Sequence, residues 1–112
     1  MKTIEVLYFE GCPNVEVASD CARRAVETTG VLAEVKRVRI ENHADAVRRH
    51  FLGSPTIRVD GQDVDVWARD RMDFGLHCRV YEIDGKLAGA PPAEWIEAAL
   101  RCSADTTNTR RS

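Results

Sequence analysis

The chain carries four cysteines, Cys12, Cys21, Cys78 and Cys102, and three histidines, His43, His50 and His77. Thiolates are nucleophiles and soft-metal ligands, so covalent or metal chemistry would start from these positions. Successive cysteines are 9, 57 and 24 positions apart, and no pair has the short gap that structural zinc sites use. His43 and His50 fall roughly 10 Å apart along a helix, too far to share an ion. His77 and Cys78 are adjacent, and on a strand they face opposite sides. No closed metal site is expected. What remains is the chemistry of a single reactive thiol, or of a soft ion held by two thiolates if one cysteine finds a partner.

Cys12 has the strongest claim to reactivity. It stands in Glu10-Gly11-Cys12-Pro13-Asn14, between an apolar run and a helical pattern. A thiol in the first turn of a helix lies against the positive end of the macrodipole and near unpaired backbone N–H groups, both of which favour the thiolate. Pro13 suits the first helical position. Glu10 and Glu16 bring opposing negative charge, and an inactive turn cysteine stays open as the alternative. Cys21 would lie roughly 13 Å along the same helix, beyond disulfide reach. It shares the side of Ala18, Ala22 and Ala25 and is expected in the core. Cys102, after the last helix, reads as an incidental thiol.

The elements that must position these residues follow from hydrophobic period and breakers. Ile4 to Phe9 is a nearly continuous apolar run, suited to a buried central strand. Val15, Ala18, Ala22, Ala25 and Val26 recur at helical spacing up to Gly30. Ala33 to Ile40 reads as a second strand, and a short helix runs from Asn42 as cap through Ala44, Val47 and Phe51 to Gly53. Ser54-Pro55-Thr56-Ile57-Arg58-Val59 makes a third strand ended by Asp60-Gly61. Residues 62 to 76 show no clear period, Cys78 to Ile83 reads as a fourth strand turned by Asp84-Gly85, and a final helix opens at Pro91-Pro92 with Trp95, Ile96, Ala99 and Leu100 inward. The order is β-α-β-α-β-β-α, an α/β fold with a four-stranded mixed sheet flanked by three helices. One domain over residues 1–102 and a disordered polar tail over 103–112 are expected.

In that order the fourth strand would begin at the sheet end opposite Cys12, which argues against a Cys12–Cys78 pair. The irregular segment before it can fold back, so a resolving or ligand role for Cys78 stays open. Trp67, with Met72 and Phe74 in that segment, is a candidate lid over the site.

Composition sets outer bounds. The chain has 112 residues, 44% hydrophobic, enough for one core without disulfides. A net charge of −2 gives no electrostatic case for nucleic acid or an anionic membrane as partner. The amino terminus carries Glu5 within its apolar run and no cleavage site, and no stretch of about 18 apolar residues occurs. A soluble cytoplasmic protein with reduced thiols is the expectation.

Together, the element order, Gly11-Cys12-Pro13 before the first helix and Gly53-Ser54-Pro55-Thr56 opening the third strand resemble the thioredoxin-like superfamily, nearest to its small glutaredoxin-like members. The resemblance spans about Thr3 to Leu100. It implies that Cys12 is the nucleophile and that Pro55 is cis beside it, with the exposed backbone of Ser54, and Pro13 next to the thiol, forming the substrate shelf. The family's Cys-x-x-Cys pair would need a cysteine where this chain has Val15, so monothiol chemistry, or a fold that has lost redox chemistry, is implied. Glutathione is the one small-molecule cofactor so implied, with Arg48-Arg49-His50 either a solvated face or the holder of its carboxylate. A disulfide-containing protein or a low-molecular-weight thiol would be the partner. A looser likeness, carried by Gly11-Cys12-Pro13-Asn14, Gly53-Ser54-Pro55-Thr56 to Gly61, Gly75 to Tyr81 and Pro91 to Ile96, is to small bacterial thioredoxin-fold proteins labelled as organomercurial lyases. It supplies the alternative: a thiolate-binding protein for a soft metal or organomercurial, without turnover.

Overall fold

The computed structural model describes residues 1–105. Its main sheet has four strands in the order β2-β1-β3-β4: β1 (Lys2–Tyr8), β2 (Ala33–Arg39), β3 (Thr56–Val59) and β4 (Gln62–Asp63). β1 pairs parallel with β2 and antiparallel with β3, so the sheet is mixed. The parallel pair requires a crossover, supplied by α1 (Val15–Thr29). Two shorter helices follow, α2 (His43–Arg48) and α3 (Ala93–Asp105), and β5 (Tyr81–Ile83) with β6 (Lys86–Ala88) forms a separate ribbon. Among the described residues no helix is long and apolar enough to cross a membrane.

Alternation along β1 explains the layering. Ile4 and Val6 face a core shared with Ala18, Cys21, Ala22 and Ala25 of α1 and Ile96 and Leu100 of α3. Leu7, one step out of phase, joins Ile40, Ala46 and Phe51 on the opposite face. Both faces of β1 are thus covered by helices, which is why its sequence reads as almost continuously apolar. Burying Ile4, Ile57, Ile96 and Leu100 completely contributes roughly 1.5–3 kcal/mol each before entropy is counted.

Three boundaries differ from expectation. α2 stops at Arg48 rather than running on to Gly53, because His50 turns left-handed at φ 55°. Its N–H donates to Val47 O (3.2 Å) and that of Phe51 to Ala46 O (2.8 Å), the two bonds of a Schellman ending with histidine where glycine is usual. The Phe74 ring stacked on His50 (4.8 Å) and the Arg58 guanidinium, which donates to the Arg49 and His50 carbonyls (both 2.8 Å), support it. The fourth strand of the sheet is Gln62–Asp63, not Cys78–Ile83. Asp60 and Gly61 have φ of 50° and 86°, a type I′ geometry that folds the chain straight back onto β3. Tyr81–Ile83 pairs only with β6. Finally, α3 extends to Asp105, three residues into the expected tail; the remainder of that tail, 106–112, lies outside the described residues.

Candidate functional site

The chain leaves the carboxyl end of β1 through a tight turn in which the Cys12 N–H donates to Phe9 O (3.3 Å). Gly11, at φ 91°, takes the third position, where a left-handed residue is needed. α1 begins only at Val15, with Asn14 in the cap position and no side-chain cap bond. Cys12 therefore precedes the helix instead of lying in its first turn, and exposed Pro13 stands outside the helix rather than at its first position. The macrodipole, which fades within a turn, acts on Cys12 from farther away than the sequence suggested. The two opposing carboxylates are each engaged by β2: Glu10 by Arg39 (2.9 Å) and Glu16 by Arg37 (2.8 Å). The hydrogen bond from Arg37 holds the Glu16 carboxyl below its usual range. Cys12 is partly exposed, and all four cysteines are free thiols.

β3 runs antiparallel to β1, with Leu7 opposite Thr56. Ser54 and Pro55, which precede Thr56, thus lie at the carboxyl end of β1, the end from which the chain runs into Cys12. The Ser54–Pro55 bond is cis. The backbone of Ser54 is not open, however. Its N–H donates to His77 O (2.9 Å) and its carbonyl accepts from the Arg79 N–H (2.9 Å), so Cys78 forms a parallel bridge with Ser54. Two expectations are corrected together. Ser54 offers no free shelf as it stands, and Cys78 belongs to the Cys12 end of the sheet, because residues before β5 fold back beside Ser54 instead of opening a sheet strand. Cys78 is exposed there.

What fastens this arrangement is a buried ion pair. Arg79 is 3% exposed and donates two-pronged to Asp63, Nη1 to Oδ2 at 2.7 Å and Nη2 to Oδ1 at 3.1 Å. Nη1 also donates to Thr56 Oγ1 (3.1 Å), and the guanidinium lies 4.5 Å from the centre of the Tyr81 ring. The Tyr81 hydroxyl donates to Pro55 O (2.5 Å), and burial pushes its ionisation far above the usual phenol range. A charge pair removed from water persists only when its hydrogen bonds are nearly all made. Arg79, Asp63 and Tyr81 were not singled out from sequence. The signal was the alternation of 79–83, in which Arg79 and Tyr81 share the inward parity while Cys78, Val80 and Glu82 face solvent.

The remaining candidates lie elsewhere or are otherwise engaged. Cys21 is 8% exposed within the main core. Arg48 and Arg49 both pair with Asp45 at the surface, where they line a concavity of about 540 Å³ with Arg39. The hydrogen bond from Arg48, then the Glu41 N–H and Arg49, hold Asp45 at about 2. Trp67 is 89% exposed and does not cover Cys12. It lines an open concavity of about 760 Å³ with Lys2, Asp60, Val64, Trp95 and Cys102, at the amino end of β1. Among the described residues no group of three or more His, Cys, Asp or Glu is arranged to hold a metal ion. Comparison with protein-family models, curated proteins and solved structures finds no match.

Proposed function

We propose that the chain is a thioredoxin-like thiol protein whose Cys12 performs monothiol exchange with a disulfide-containing protein or with glutathione. The Cys12 thiolate attacks one sulfur of the disulfide, a new S–S bond forms to Cys12, and the other sulfur leaves as a thiolate. The observation that carries this reading is that Cys12, the Ser54–Pro55 peptide and Cys78 share the carboxyl end of β1. Glu10 and Glu16, the carboxylates nearest Cys12 in sequence, are each paired with a β2 arginine. The test is mass analysis of reduced protein exposed to oxidised glutathione. One glutathione on Cys12, absent from Cys12→Ser, is expected; adducts confined to the exposed Cys78 and Cys102 would sink the reading.

The same placement favours a second reading, two-thiolate binding of a soft ion by Cys12 and Cys78. Mercuric ion titration separates the two. Tight binding of one ion lost in both Cys12→Ser and Cys78→Ser supports the carrier, and affinity indifferent to Cys78 removes it.

A further inference from the structure

We infer that Gly75 to Arg79 is a displaceable strap that occupies the Ser54 backbone, so that a disulfide-bearing ligand must compete with it; this rests on the reading of Cys12 as an exchange thiol. An extended ligand adding along an edge strand needs a free N–H and a free C=O. On Ser54 both are taken by the chain itself, through His77 O and the Arg79 N–H. The strap is laid down along 51–54 by further contacts: the Gly75 N–H donates to Phe51 O (3.1 Å), and the His77 ring Nε2 lies 3.0 Å from Leu52 O. Gly53, at φ 117°, lies directly beneath, where a Cβ would come within 2.9 Å of His77 Cδ2.

The two ends of the strap are fastened unequally. At its carboxyl end the Arg79 guanidinium is buried against Asp63. Toward its amino end Leu76, His77 and Cys78 are exposed, and 71–77 contains neither helix nor strand. Gly75 itself is buried, but the stretch 76–78 has exposed side chains and no regular structure of its own, and such a stretch opens at lower cost than the core around it. Opening therefore starts at 76–78, with the Arg79 guanidinium as the fixed end. By linkage, a ligand that takes Ser54 must release Cys78 to the same degree that strap closure weakens the ligand.

His77→Ala tests this, because it removes the ring contact with Leu52 O and keeps the backbone carbonyl that accepts the Ser54 N–H. Gly75→Pro, which deletes the N–H to Phe51 O, tests it by a second route. Two reagents are compared on Cys12: oxidised glutathione, which would engage Ser54, and iodoacetamide, which needs only the thiolate. The expected result is faster amide exchange at Ser54 and Arg79. Glutathionylation should rise roughly twofold to tenfold, the span of one net hydrogen bond, with alkylation unchanged. Equal glutathionylation in all three proteins overturns the strap while leaving Cys12 an exchange thiol, as does an equal rise with both reagents. Unchanged Ser54 exchange in both variants overturns it too. No Cys12 adduct in any protein overturns the exchange reading and the strap with it.

Discussion

At the carboxyl end of β1 the backbone is covered and the charges are paired. Ser54 is bonded on both sides by 77–79, Arg79 is locked to Asp63, and Glu10, Glu16 and Asp45 each hold an arginine. At the amino end an open concavity of about 760 Å³ exposes Trp67 and the α3 face near Cys102. This hollow is remote from the Cys12 turn, whereas a second concavity of about 540 Å³, lined by Arg39, Asn42, Asp45, Arg48 and Arg49, lies on the α2 side of the carboxyl end. The open hollow marks apolar surface left over between β4 and α3, whereas the covered end holds polar groups that the fold buries at some cost.

Cutting the covered end at its anchor should have the largest effect. Arg79→Ala leaves Asp63 buried without its cation and is expected to cost about 3–5 kcal/mol in urea unfolding. A loss below about 1 kcal/mol would show that the two ends are not fastened differently. Tyr81→Phe removes the donor to the buried Pro55 carbonyl and should cost about 1–3 kcal/mol in the same assay.

Asp45 sharpens the contrast through pH. Its folded ionisation, held at about 2 against an ordinary 3.8, means that its contribution to stability is present above pH 3.8 and lost as pH falls toward 2. Asp45→Asn should therefore melt lower than wild type at pH 7, with the gap closing through that window; a gap independent of pH would remove the charge from the explanation. At the open end, Trp67→Ala should change unfolding free energy by no more than about 0.5 kcal/mol and leave the rate of Cys12 glutathionylation unchanged. A slowed reaction would tie the hollow to the thiol after all.

Much of this was legible in residue order. The β1 run, the α1 stripe from Ala18 to Ala25, the Asn42 cap, confirmed by its side chain accepting from the Asp45 N–H (2.8 Å), and the Asp60-Gly61 and Asp84-Gly85 turns all have local causes. The misread parts depend on contacts far along the chain. His50 takes a left-handed conformation supported by Phe74 and Arg58, which no helix-stop rule on His50 could reveal. Cys78 and Arg79 alternate as a sheet strand should, yet their neighbour is Ser54 at an isolated bridge. Two-residue β4 is too short to show any period. That Cys12 stands in a turn could be read from Gly11 and Pro13, whereas its relation to the helix depended on where Asn14 let α1 begin.

Central β1 takes both of its partners from distant sequence: Lys2 pairs with Ala33, and Ile4 with Val59. The Asp60-Gly61 and Asp84-Gly85 hairpins close within a few residues, but β1 must wait for loops of some thirty and fifty-five residues to be drawn shut. During synthesis Ile4, Val6 and Leu7 emerge before the strands they pair with and find their antiparallel neighbour only after Val59 has left the ribosome. Glu5 stands in the middle of that waiting apolar strand, and a charge so placed disfavours pairing between exposed apolar strands.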